Sequence, residues 1–250
     1  DGRYWCFMAR AYNNSSSQPM RGVFTWDLDQ HRIMGHMNMS EAPDHVSMSP
    51  SGQYCVVSHD GEMGTRAYNR SFSAPYNAQI AEAYLQLHHK SEHSDLAFDA
   101  QRQDTYVSLD YQSNVGDVFM VNLETGKRTV LFPSYLNRTA MAFHISGKAY
   151  GKPGWVLMST YGEHYSDNPS IALSPEQRQW AHRRMFAVSL TEAPEIRYIA
   201  AIHPNVFQYE DEPHGTVNHD FTRMLFNSTW DGQSINDMEV YMVELPAGAL

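Results

Sequence analysis

The sequence predicts an all-β fold, a β-propeller of four-stranded blades, and three observations carry that prediction. One strand pattern recurs along the chain, each copy headed by a histidine. The composition suits strands, with 15 Tyr, 11 Phe and 5 Trp among 250 residues. Only one segment carries a clear helix start.

The recurring segments read DHVSMSPSGQYCVVSHD from Asp44, EHSDLAFDAQRQDTYVSLDY from Glu92, FHISGKAYGKPGWVLMSTYGEH from Phe143 and PHGTVNHDFTRMLFNSTWDG from Pro213. Each is a polar loop, a histidine, a short strand, a tight turn and a second apolar strand. Third strands follow in TRAYNRSF, GDVFMVNLETG, RRMFAVSL and EVYMVELP, and fourth strands in AQIAEAYLQL, KRTVLFP and IRYIAAIH. The opening DGRYWCFMARAY matches a second strand, and GVFTWDLDQHRIMGHMNM supplies a third and fourth. The heading histidines are His45, His93, His144 and His214, so the repeat spacing is 48, 51 and 70 residues. Four strands at such a period are the signature of propeller blades. A sandwich fits the strand count but leaves the repeated histidine and turn unexplained. The long last spacing holds SPEQRQWAHRR from Ser174, an N-cap serine followed by proline, which predicts a short helix in an insertion.

One domain therefore spans 1–250, with blades over about 1–43, 44–90, 91–137, 138–206 and 207–250. The first lacks its inner strand and the last ends after its third. Because a closed ring needs every edge paired, the expectation is an N-terminally truncated ring of about seven blades. A five-bladed ring closed by a shared blade is the alternative.

The chain holds 28 acidic and 18 basic residues, a formal charge of −10. That argues against a general nucleic-acid surface, which needs a basic face. No apolar run is long enough to cross a membrane as a helix. An acidic polymer would need a local positive site, which the 13 histidines can supply. Cys6 and Cys55 lie in apolar runs without metal or redox spacing, and are read as buried small hydrophobes. The opening at Asp1 fits a cleaved leader or a fragment, and secreted or periplasmic placement is favoured over cytoplasmic. N-x-S/T sequons, among them Asn13, Asn14, Asn69, Asn137 and Asn227, matter only in a eukaryotic secretory setting.

In a blade the first strand begins at the rim to which the second returns. The four heading histidines should therefore converge near the channel mouth. His59, Tyr111, Tyr161 with His164, and Trp230 close second strands at the same rim. Imidazoles suit Mn, Zn, Ni or Fe, and Asp211 or Glu212 before His214 adds a carboxylate. A structural histidine bonding within its own blade is the competing reading. No GxSxG elbow or phosphate loop is present.

SMSPSGQYCVV, HISGKAYGKPGWVLMSTY and EPHGTVNHDFTRMLFNSTW resemble the repeats of TolB-type propellers. The placing of His144 and His214 in successive blades is similar to that of propeller polysaccharide lyases, of the oligogalacturonate lyase and ulvan lyase types. The resemblance implies β-elimination on an acidic polysaccharide or oligosaccharide containing uronate. It implies a Mn-type ion at His144 and His214, to which the residue pattern adds His93 and Asp211 as ligands and Zn as an equally suitable ion, or an ulvan-type arrangement of His144, His164 and Tyr161. The glutamine and second histidine expected around the later ligand are replaced by Asp211 and Thr216. Arg66 is the expected carboxylate clamp, and His45, Tyr111 and Trp230 are expected to touch substrate. The alternative is a non-catalytic TolB-type scaffold that binds carbohydrate or protein. A propeller accessory to a hydrolase or peptidase is a third reading.

Overall fold

The computed structural model describes residues 2–11, 19–246 and 248–250, without the side chains of Pro169 and Ala172. The sequons at Asn13 and Asn14 lie outside the described residues. The chain forms two compact units: 1–92 with 103–106 and 121–127, and 93–102 with 107–120 and 128–250.

Five antiparallel sheets follow one another along the chain. The first joins β1 (Tyr4–Arg10), β2 (Met20–Asp27) and β3 (Arg32–Asn38) in sequence order. The second runs β4 (His45–Met48), β5 (Tyr54–Ser58), β6 (Thr65–Asn69), β7 (Leu85–His88). The third holds β8 (Ser94–Phe98), β9 (Asp104–Asp110), β10 (Asp117–Asn122) and β11 (Arg128–Pro133). In the fourth, β12 (Thr139–Ser146), β13 (Trp155–Tyr165), β15 (Arg184–Ser189) and β16 (Ile196–Ala201) pair in turn, and β14 (Asn168–Ala172) adds to β13. The fifth is β17 (Thr216–Val217), β18 (Arg223–Ser228) and β19 (Glu239–Glu244). Successive antiparallel meanders, the middle three with four strands in turn and the outer two with three, are the blades of a β-propeller, as the repeat predicts.

Burial follows strand position. The second strands β5 and β9 are covered on both faces and read as nearly continuous buried runs, YCVVS and DTYVSLD. The last strand, β19, alternates between exposed and half-buried residues. In the second unit Leu109, Val118, Phe143, Met158 and Phe186 form one core, and Leu157, Met185, Phe221 and Met224 another.

The repeated turn is fixed by hydrogen bonds. In Ser49–Gly52 the Asp104 carboxylate accepts from Ser49 Oγ at 2.7 Å, from Ser51 N–H at 3.0 Å, and from Ser51 Oγ. Gly52 closes the turn at φ +74°, where a Cβ would also lie 2.6 Å from the Tyr4 ring.

Two expectations need correction. Cys6 and Cys55 are not free core residues but a disulfide joining β1 to β5, with Cα atoms 5.8 Å apart. Apolar strand context cannot distinguish the two states, because it is the approach of two strands that brings the sulfurs together. The helix expected from Ser174 is a single 3-10 turn, Pro175–Gln177, and Trp180 and Ala181 beyond it turn toward the core instead. So short an isolated helix has little stability of its own.

Candidate functional site

Three of the four heading histidines come together in the second unit. The rings of His93 and His144 stack with centroids 4.7 Å apart, and those of His144 and His214 at 4.2 Å. Tyr161 stacks on His144 at 4.8 Å. His93 and His214 each just precede a first strand, whereas β12 begins five residues ahead of His144, so that this histidine is inside its strand.

Backbone bonds hold the stack. The segment from His214 into β17 is fixed to β12 and β13 at three points. His214 N–H donates to His144 Nδ1 at 3.0 Å, Gly215 N–H to Ser159 Oγ at 3.1 Å, and Val217 N–H to Ser146 Oγ at 3.3 Å. Gly215 is needed there, since a Cβ would sit 2.7 Å from Ser159 Oγ. His93 is tied to the same strand, its Nδ1 lying 2.7 Å from the Phe143 carbonyl.

These partners set the tautomers. A carbonyl only accepts, so His93 is protonated on Nδ1 and keeps its lone pair on Nε2. His214 Nε2, 3.0 Å from the Tyr209 carbonyl, carries the proton of that ring. His144 Nδ1 accepts an amide N–H, so its ring proton is on Nε2.

His144 Nε2 lies 3.1 Å from Glu212 Oε2. The two are an ion-pair distance apart but not aligned as a hydrogen bond, and both atoms are buried without a hydrogen-bond partner. Burial, with His93 and His214 alongside, holds the His144 pKa down at about 3. Glu212 pulls the other way. The downward direction prevails because a second ring proton would face the His214 amide. Burial pushes the Tyr161 hydroxyl well above its ordinary range, and the neighbouring Glu212 carboxylate adds to the shift; the hydroxyl lies 3.5 Å from His93 Nδ1. Tyr161 therefore holds its proton at neutral pH.

His93, His144 and Glu212 offer ligand atoms all within 4.8 Å of one another, close enough for a metal ion. The protonation pattern opposes one. Coordination by His144 would use Nε2, which bears the ring proton, and the proton cannot move to Nδ1 while the His214 amide donates there. As arranged, the residues do not fit a resident Mn- or Zn-type ion.

The other expected residues have partners of their own. Asp211 is not in the cluster: its carboxylate accepts from Phe207 and Gln208 N–H at 3.0–3.1 Å, closing its own turn. Its neighbour Glu212 is the carboxylate in reach. His164 pairs with Ala140, well along β13 from Ser159, the partner of His144, and bonds the Gly162 carbonyl at 2.7 Å. The Tyr111 hydroxyl lies 3.3 Å from the Met141 carbonyl. Trp230 packs tilted against His203 and Tyr241, with centroids 4.8 and 4.7 Å away. In the first unit, His45 pairs with Asp44 at 3.0 Å. Arg66 there bonds Gln86 at 3.0 Å, stacks on Tyr84, and lines a cleft of about 690 Å³ with His59, Met37, Met39 and Met63. Ser159, which positions Gly215, was not singled out by the sequence. Its only signal is its place on β13 directly opposite His144.

No family model and no curated protein matches the chain by sequence. By structure it is similar to the oligogalacturonate lyase of Vibrio parahaemolyticus, with TM-score 0.57 and 10% identity over 99% of this chain and 68% of that one. It is also similar to TolB from Acinetobacter baumannii, with TM-score 0.51 and 8% identity over 97% of this chain and 50% of that one. The chain thus spans about two thirds of the length of one and half of the other. At these identities the likeness shows the propeller fold, in keeping with the TolB-type repeats, and no more.

Proposed function

We propose that the protein is a polysaccharide lyase that cleaves uronate-containing glycans by β-elimination. The observation that carries this reading is the convergence of His93, His144 and His214, from three successive repeats, on Tyr161 and Glu212.

Elimination removes the weakly acidic C5 proton beside a carboxylate and breaks the C4–O bond. The C–H electrons become the C4=C5 double bond, and the departing oxygen takes up a proton. A base and an acid are required. His93 Nε2 has the lone pair for the base, and its Nδ1–H bond to the Phe143 carbonyl stabilises the cation that forms. Tyr161, protonated at neutral pH, is the acid for the leaving oxygen, with the Glu212 charge nearby helping to keep the proton on. His214, held through Nε2 by the Tyr209 carbonyl, is the ring that would face the substrate carboxylate. His144 is the neutral spacer that keeps the other rings in place. No step passes through a metal.

The test is to mix the protein with pectate or ulvan and follow the short-wavelength ultraviolet absorbance of the new conjugated double bond. Steady growth, lost in His93→Ala, supports the reading. No growth on any uronate polymer overturns it.

One observation favours a second reading, a non-catalytic binding scaffold. Every imidazole in the stack has a backbone partner, as a structural staple would. The Cys6–Cys55 disulfide favours an oxidising compartment, secreted or periplasmic, for either reading. Among the described residues no helix is long and apolar enough to cross a membrane.

A further inference from the structure

A second candidate site lies on the outer strands of the fourth sheet, at the opposite end of the strand order from His144 on β12. Phe186 on β15 stands directly across from Tyr198 on β16. Arg184 and Ile196 lie two residues from each along their strands and so share that face. The insertion after β14 folds over it. Trp180 packs edge-on against Phe186 at 5.3 Å and tilts against Phe132 at 6.0 Å. Even so, Trp180 remains 48% exposed and Tyr198 61%. Between them is a cleft of about 720 Å³, the size of a small-ligand site.

Charge selects what fits it. The guanidinium of Arg184 sits 5.4 Å from the Tyr198 ring centre. Among the described residues no carboxylate pairs with it. Its neighbours differ: Arg178 and Arg183 both bind Glu163, at 2.8 and 2.9 Å, and Arg183 also binds Asp231 at 2.8 Å. These two line an adjoining cleft of about 450 Å³, to which Trp180 and Arg184 also belong. A cation without an acidic partner, between two exposed aromatic rings, is unusual in a chain of charge −10.

We propose that this cleft binds an acidic sugar residue. The C–H face of the ring would lie on Trp180 or Tyr198, and its anionic group would bond Arg184 in the two-pronged manner of guanidinium and carboxylate. A neutral sugar would leave the guanidinium unmatched, and an apolar peptide would desolvate it. The shared chemistry is a sugar ring bearing one anion, either a uronate or a sulfate ester. The choice of a glycan rests on the proposed lyase reading, and the residues are separate from its cluster. The site would hold a polymer on the outer strands, apart from the reactive histidines on the inner ones.

The experiment uses the intact protein carrying His93→Ala, which binds without cleaving. Trigalacturonate, its methyl ester and a sulfated trisaccharide are titrated while indole fluorescence is followed. The expected result is quenching by trigalacturonate that Trp180→Phe abolishes. Arg184→Gln should weaken it at least about tenfold and Arg184→Lys should partly restore it. The sulfated sugar decides between the two anions. Equal quenching by the methyl ester, no change in Arg184→Gln, or binding of an acidic peptide but no saccharide overturns the site. Failure of the lyase reading shows separately, as absence of the double-bond absorbance in the unsubstituted protein.

Discussion

The histidine that heads each repeat is put to two uses. In the second sheet His45 begins β4, half-buried, beside its own sequence neighbour Asp44. In the next three sheets the same position yields a stack of three rings 4.2–4.7 Å apart, each bonded to backbone: His93 and His144 to that of another segment, and His214 to Tyr209 five residues before it. The difference lies in what surrounds the histidine. Ser159 and Gly215 let the PHG segment approach β12 closely enough to bond it. Asp44, in contrast, supplies His45 with a local partner. A repeat therefore fixes where a side chain starts, and its neighbours decide what it does.

The sharpest test of that contrast is activity. On the lyase reading His93→Ala removes the base and Tyr161→Phe the acid, and each should lower turnover by about 10²–10⁴-fold. Less than tenfold in both would return the stack to a structural role. Chelator should leave the rate unchanged, since the His144 tautomer opposes a metal. Loss of activity in chelator, restored by Mn or Zn, would show that the His214 amide yields to an ion.

The next largest effect concerns the two units. The Cys6–Cys55 bond closes a separation of 49 residues wholly within the first unit. Constraint of the unfolded chain over such a loop is worth about 4 kcal/mol. Replacing both cysteines by alanine should lower stability by that order in denaturant titration. Amide exchange should accelerate in β1–β7 and hold steady in β12–β18. Equal acceleration throughout would mean that the units unfold together.

Much of this contrast was legible in the sequence and some of it was not. The repeat was plain because strand alternation and the heading histidine recur in order, and His93, His144, His214 and Tyr161 could be named from it. The disulfide was hidden because its partners are joined by strand approach, not by spacing. The sequence offers Asp211 and Glu212 alike, because a loop has no periodicity to say which of two adjacent acids reaches the histidines. The tautomers depend on backbone groups of Phe143, Tyr209 and His214, which residue types do not reveal.

A smaller effect should appear with pH. His144 is about 3 in the fold against an ordinary value near 6.5, so the unfolded chain binds the proton more readily. Its neutral form stabilises the fold fully above about 6.5, and that contribution is lost as pH falls toward 3. The slope should be about 1.4 kcal/mol per pH unit within that window. His59 and His182 are also held down by burial and add to the total. The measurement is therefore the difference between the unsubstituted protein and His144→Gln in denaturant titrations from pH 7 to 4. Parallel curves would show that His144 already carries a proton in the fold, paired with Glu212.

The smallest effect is expected at His45, and it bears most directly on the comparison. The ring is half-buried and its Asp44 partner is about half-exposed. A pair so placed contributes about 0–1 kcal/mol, because water screens it and both side chains give up rotamer freedom. His45→Ala should therefore change stability by less than about 1 kcal/mol and turnover by less than about threefold. The aligned substitution His144→Ala removes a ring packed against His93, His214 and Tyr161 and leaves the His214 amide without its acceptor. A buried amide so orphaned costs about 1–3 kcal/mol before any loss of packing. The two variants occupy one position in the repeat, so their ratio measures what the surroundings add. Equal effects would mean that the heading histidine is a staple of every blade, and the cluster would lose its claim to be a site.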